Sequence, residues 1–280
     1  MGVRIVIAKS ILSATSGYIA EAGFTHSLTP ARNCTFGCTY CYVPTLGIYG
    51  GLKPEDWQRW GQFTTFKENA PELLHRQLRA EQRIYCSPLV DPYQPAEAEV
   101  QMMPRILDEL IASPPRVLTI QTRGLLILRD LDLVRELSFR TTLRVSFSIT
   151  TNRDEVRRLY EPHCAPIAER IAAIAKLRAA GIETFATLAP ILPCDPEELA
   201  RIAIEASGGK IIGDPLHIRA TKSHGATTRE QAFRIAKMHD HEAWFDAAFQ
   251  ARIVERIDAE ARRAGVEFEI GPRGFSKLAQ

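Results

Sequence analysis

Thr25 to Pro44 reads THSLTPARNCTFGCTYCYVP and packs Cys34, Cys38 and Cys41 into eight residues. Three thiols this close form a ligand set. A disulfide would use two and strand one, and a structural zinc site would want a fourth nitrogen or sulfur ligand from a partner pair. The CxxxCxxC spacing, on a loop after a short strand-like run, suits a cubane iron–sulfur cluster held by thiolates from one segment. Three protein ligands leave one iron open. Gly37 stands inside the loop, where the backbone has to fold without a Cβ in the way. A structural zinc or a chance grouping of thiols is the alternative.

Working outward, Phe24–Leu28 reads as a strand stopped by Pro30, so the cysteines lie beyond its C-terminal end. Residues 1–23 form a leader in which Val3, Ile5 and Ile7 alternate, and no element is assigned there. Gly47–Lys67, rich in glycine and aromatics, reads as irregular; Trp57, Trp60 and Phe63 are candidates to cover the cysteines or simply to pack. Beyond it the pattern turns regular. Asn69 caps a helix with Pro71 in its first turn and Leu73, Leu74 and Leu78 on one face. Strands are expected at Ile84–Pro88, Val117–Thr122, Leu143–Thr150, Ile182–Ala189 and Ile211–Arg219. Helices fall between them, opening at Pro104, running Leu128–Leu137, ending at Gly181 and capped at Asp195. Thr227 and Glu230 have the spacing of a capping box for a long helical region reaching Gly265.

Six strands alternating with helices predict an α/β fold: a partial (β/α)6 barrel of parallel strands with right-handed crossovers, its reactive groups where strands end and helices begin. No linker, repeat or low-complexity tract interrupts it, so residues 1–280 are read as one domain with a tail at 265–280. In the fourth strand Leu143, Val145, Phe147 and Ile149 alternate with Arg144, Ser146, Ser148 and Thr150. One face is greasy and the other small and polar, which suits a lumen holding something polar. A half-solvated antiparallel strand is the other reading.

Lys and Arg number 35 against 33 Asp and Glu, so any nucleic-acid contact has to come from a local patch. Six cysteines, three clustered and three scattered, are not the framework of a small secreted domain and fit a reducing cytoplasm. No leader pattern, membrane-spanning run or acylation signal is expected.

The loop of Cys34, Cys38 and Cys41, with Tyr40 before the last cysteine, resembles the cluster loop of the radical S-adenosylmethionine (SAM) superfamily. Cys86-Ser-Pro-Leu-Val-Asp-Pro-Tyr-Gln-Pro-Ala-Glu97 resembles the segment after the second strand in its spore photoproduct lyase-like branch. Thr122-Arg-Gly, Leu128-Arg-Asp-Leu-Asp-Leu, Ser146-Phe-Ser-Ile-Thr, Ala180-Gly-Ile and Ala189-Pro-Ile-Leu-Pro continue the likeness in order. It covers roughly Lys9 to Pro193.

The resemblance implies a [4Fe-4S] cluster on the three cysteines and SAM on the open iron. It further implies a one-electron reductant such as a flavodoxin or ferredoxin, and a lyase-like reaction on a DNA photoproduct or other nucleobase. A small molecule, peptide or RNA is the alternative substrate, and a redox-sensing binding protein the alternative from another class. The protein then has to supply aim, dryness and a hydrogen donor. Cys86, ending the second strand, is the candidate thiol for that donation, with Cys164 and Cys194 as the other scattered thiols; Tyr42 is the second catalytic candidate. Buried, inert packing is the plain alternative for each. Candidate cofactor contacts are Tyr40 for the nucleoside, Ser87 as a weaker SAM contact, Arg123 for the SAM carboxylate, and Ser146 and Ser148 for the ribose or methionyl group. Asp91 is a candidate for the methionyl ammonium or, alternatively, a turn cap before Pro92. His217, Arg219, Lys222 and His224 are candidates to meet substrate, including its phosphates.

Overall fold

The computed structural model describes residues 2–46, 58–218 and 227–280. Its main sheet uses β2 (Leu12–Ala14), β3 (His26–Leu28), β6 (Arg83–Cys86), β7 (Val117–Thr122), β8 (Thr142–Ser148), β9 (Glu183–Ile191), β10 (Ile211–Pro215) and β11 (Glu269–Ile270). The strand order is β11-β10-β9-β8-β7-β6-β3-β2. Every neighbouring pair from β3 to β11 is parallel, and only β2 runs antiparallel, against β3. The six strands expected from the alternation are β3 and β6 to β10. Two edges remain, so the sheet is a partial barrel, as the pattern of six crossovers implies.

Two regions depart from the sequence reading. The leader holds β1 (Gly2–Val6), β2 and the helix Gly17–Glu21, and the segment read as irregular holds β5 (Phe63–Lys67). β5 pairs in parallel with β1 and antiparallel with β4 (Ala31–Arg32), forming a three-stranded sheet beside the cysteine loop. Phe63, Thr64 and Phe66 are all buried, so both faces are covered and no alternation marks the strand. Trp57 lies outside the described residues.

Asn69 occupies the N-cap position but makes no cap bond; its side chain accepts from the Ala8 N–H at 2.9 Å and donates to the Ala8 carbonyl at 3.0 Å. Asp195, by contrast, caps the helix Pro196–Ser207 by accepting from the Glu198 N–H, with Pro196 at its start. The capping box at Thr227 and Glu230 does not form. Thr227 Oγ1 donates instead to the His217 carbonyl, and the helix Glu230–Met238 starts on Arg229 without a side-chain cap. The long helical region is broken after His239 by Asp240, whose φ of 57° is left-handed, and restarts at Ala247–Arg263 with Asp246 as cap.

Alternation along the strands sorts the two faces of the sheet. Ile84, Leu118, Ile120, Val145 and Phe147 join the main core under the helices. Tyr85, Phe185 and Ile212 point the other way and pack with Ala22, Phe24, Phe275, Leu278 and Ala279. The end of the chain therefore lies against the inner face. Thr119 Oγ1 donates to the Leu278 carbonyl at 2.8 Å, and Arg144, ion-paired with Glu183, donates to the Gln280 carbonyl. Burying Leu278 and Phe275 contributes about 2 kcal/mol each by transfer free energy. Part of the polar lumen expected from β8 is thus filled by the chain itself.

Candidate functional site

The cysteine loop leaves β4 and runs over the C-terminal ends of β6, β7 and β8, the end of a parallel sheet where reactive groups gather. Local bonds fold it tightly. Gly37 N–H donates to the Cys34 carbonyl and Cys41 N–H to the Cys38 carbonyl, with Gly37 at φ 62° and Asn33 at φ 63°. Gln94, in the DPYQP run, ties the loop down: its Oε1 accepts from Thr35 N–H at 2.9 Å, and its Nε2 donates to the Asn33 carbonyl at 3.3 Å. Thr39 N–H donates to the Tyr160 carbonyl at 2.9 Å.

Cys34 and Cys38 are buried, Cys41 is partly exposed, and all three are free thiols. Burial pushes Cys34 up and raises Cys41 to about 12, while hydrogen bonds from backbone N–H groups at Phe36 and Val43 work against it. Cys38 is lowered, first by a hydrogen bond from the Cys164 thiol and then, against the cost of burial, by the charge of Arg123. Arg123 Nη1 stands 3.7 Å from Cys38 Sγ. Among the described residues no three His, Cys, Asp or Glu side chains are close enough to hold a single metal ion. A soft thiolate-bound group needs clustered sulfurs in a largely dry site with N–H donors or a cation beside them to favour the thiolate once metal is bound, and this donor set fits one.

Arg123 also enters a network that sequence reasoning missed. Its Nη1 donates to Glu161 Oε1 and to the Tyr40 hydroxyl; Glu161 Oε1 further accepts from Tyr40 at 2.6 Å and Thr150 at 2.9 Å. Arg170 Nη1 lies 2.7 Å from Glu161 Oε2. Burial alone would push Glu161 up, but the Arg170 and Arg123 guanidiniums and the two hydroxyls hold it down to about 2. No local signal in the sequence marks Glu161 or Arg170 as buried.

Asp91 makes the turn: Oδ1 accepts from Tyr93 N–H at 2.9 Å and Thr122 Oγ1 at 2.6 Å, and Oδ2 from Arg123 N–H at 2.8 Å. Its carboxylate thus links the end of β6 to the end of β7. Ser146 Oγ is 2.6 Å from Thr187 Oγ1 on the inner face. Ser87 Oγ and Ser148 Oγ are buried and have no hydrogen-bond partner among the described residues, which leaves two polar atoms suited to a bound ligand. Cys86 is 1% exposed and lies with Ile84 in the main core, on the opposite side of β6 from Tyr85. Tyr42 stacks with His217 at 6.1 Å between ring centroids, and His217 Nε2 is 2.7 Å from Asp214 Oδ2, which also accepts from the Tyr18 hydroxyl. Arg219, Lys222 and His224 lie outside the described residues. Cys194 is buried after β9, and burial raises it to about 12.

A cavity of about 500 Å³ opens beside Phe36, Arg123, His163 and Cys164. A wider groove of about 770 Å³ sits at the opposite end of the strands, around Arg116, Thr142 and Glu183, away from the cysteines.

A parallel, unclosed sheet with three free thiols, two of them buried, on a loop over its C-terminal ends is the arrangement that the likeness to radical SAM proteins implies. The family model described as "Radical SAM superfamily" matches residues 28–205, and the chain belongs to that superfamily. Uncharacterized protein Rv2578c of Mycobacterium tuberculosis (strain ATCC 25618 / H37Rv) is 29% identical over 67% of this chain and 55% of its own length. Uncharacterized protein MJ0683 of Methanocaldococcus jannaschii is 29% identical over 57% of this chain and 58% of its own. The chain thus spans about half the length of these curated relatives. Among solved structures, a spore photoproduct lyase mutant superposes with a TM-score of 0.64 at 14% identity, covering 96% of this chain and 81% of that one. Spore photoproduct lyase complexed with dinucleoside spore photoproduct gives 0.59, and a mutant with bound AdoMet and the same photoproduct 0.56, over the same shares. These likenesses are of fold. No helix among the described residues is long and apolar enough to cross a membrane.

Proposed function

We propose that the chain holds a [4Fe-4S] cluster on Cys34, Cys38 and Cys41, binds SAM at its open iron, and acts as a lyase-like enzyme on a DNA photoproduct or related damaged nucleobase. The observation that carries this reading is the three-thiol loop at the C-terminal strand ends, in a chain of the radical SAM superfamily. Reductive cleavage of bound SAM would supply a 5′-deoxyadenosyl radical. The residues would do the rest. Cys34, Cys38 and Cys41 hold the metal group in a dry pocket; Ser87 and Ser148, buried and unpaired, accept or donate to SAM, with Ser146 beside them. Tyr40 and Arg123 line the same side, and Asp91 fixes Arg123 through its backbone. Cys86 and Tyr42 are the two candidates to return a hydrogen atom to the product.

The nucleic-acid substrate is supported by what the structural neighbours are described as binding, a dinucleoside photoproduct. The reading requires a reducing compartment, such as the cytoplasm, and a one-electron donor of the flavodoxin or ferredoxin kind. The test is anaerobic reconstitution followed by SAM, dithionite and UV-irradiated DNA. 5′-Deoxyadenosine that rises with damaged DNA supports the reading. SAM cleavage indifferent to DNA removes the substrate, and no cleavage at all removes the enzyme.

A further inference from the structure

Outside the three thiols, the described residues hold a buried charge set of Arg123, Glu161 and Arg170. The Glu161 and Arg170 side chains are both 0% exposed, and the three Arg170 nitrogens make no well-formed hydrogen bond among the described residues. Arg170 is therefore held by charge. Stability is a poor reason to keep such a set, because apolar residues of similar volume commonly replace a buried ion network at no cost or with a gain.

Its position suggests another reason. One end of the set, Arg123 Nη1, is 3.7 Å from Cys38 Sγ, and Tyr40, between two of the cysteines, donates into the same Glu161 oxygen. The two guanidiniums and one carboxylate of the set carry a net charge of +1, with its Arg123 end against Cys38, while the Asp91 carboxylate acts on Cys34 from the other side.

Building on the function proposed above, we infer that Glu161 and Arg170 are positioning residues that hold Arg123 against Cys38 and, through that net positive charge, set the reduction potential of the cluster. Reduction adds an electron to a site already carrying three thiolates. A fixed neighbouring cation favours the reduced state, and net charge is one of the levers on cluster potential. The sign then depends on which member is removed. Loss of Arg170 takes the set to neutrality and makes reduction harder; loss of the Glu161 charge takes it to two positive charges and makes reduction easier.

The experiment is an EPR-monitored redox titration, without SAM, of cluster-loaded wild-type protein and of Arg170→Met, Glu161→Gln and Arg170→Lys. At fixed applied potential the reduced-to-oxidised ratio falls about tenfold in Arg170→Met and rises about tenfold in Glu161→Gln, about 59 mV each way for one electron. Arg170→Lys keeps the wild-type ratio. Shifts of the same sign in Met and Gln variants, or none, overturn the inference, since a merely structural disturbance has no reason to follow charge. If Arg170→Met does not take up iron, the direction in Glu161→Gln decides alone. A wild-type chain that binds no iron and sulfide defeats the function proposed above instead; loaded variants with unmoved potentials defeat only this inference.

Discussion

Gly61 packs so closely on Gly37 that a Cβ added to Gly61 would stand 2.7 Å from the Gly37 Cα, closer than real side chains come. The chain leading into β5 thus braces the cysteine loop between Cys34 and Cys38 through backbone alone. Both glycines have left-handed φ, 94° at Gly61 and 62° at Gly37. Gly61→Ala combines a clash with an unfavourable φ and is expected to cost about 1–3 kcal/mol. Thermal unfolding and iron content after reconstitution check it. Wild-type values for both would mean that the loop does not depend on this brace.

Replacing Cys34, Cys38 or Cys41 singly by Ala removes one of three thiolates and should abolish iron retention and SAM cleavage while far-UV circular dichroism stays native. Iron and sulfide analysis with 5′-deoxyadenosine assay reads this directly. Full activity in any of the three variants would refute the ligand assignment.

Cys86→Ala and Tyr42→Phe test the hydrogen donor. Each is expected to leave 5′-deoxyadenosine formation near the wild-type level, and the variant lacking the hydrogen-atom donor loses product per SAM cleaved. Chromatographic measurement of both products separates the two residues. An unchanged ratio in a variant returns that residue to packing.

Far from the site, Arg256 binds Glu197 through two bonds of 2.7 and 2.6 Å, joining the helices Pro196–Ser207 and Ala247–Arg263. The Arg256 hydrogen bonds hold the Glu197 carboxyl below its ordinary value of 4.5. A depressed folded-state value means stability that is present above 4.5 and lost as the pH falls below it. Arg256→Ala should therefore cost at most about 1 kcal/mol at pH 7. It should cost less as acid unfolding is approached. A penalty that grows on acidification, followed by denaturant titration at several pH values, would contradict this account.

The parallel strands and the cysteine loop were legible because their signals are local. A two-residue alternation marked β8, Pro30 marked the end of the run holding β3, and three thiols within eight residues needed no partner to be noticed. Capping was half legible. Asp195 behaves as its position implies, but Asn69 serves Ala8, 61 residues away, and Thr227 serves His217, because a side chain bonds the backbone group that tertiary packing brings to it. β5 escaped notice because both of its faces are covered, which erases the pattern that alternation depends on.

By itself, the amino-acid order determined the α/β alternation, the loop that gathers three thiols, and the end of the sheet on which that loop falls, since each follows from residues within a few positions of one another. Only the tertiary structure decided that Glu161 and Arg170 are buried and paired behind Arg123, that Arg123 reaches Cys38, that the end of the chain fills part of the inner face, and that Cys86 lies in the helix-side core. Those outcomes rest on burial and long-range charge pairing, which depend on distances in space that spacing along the chain does not encode.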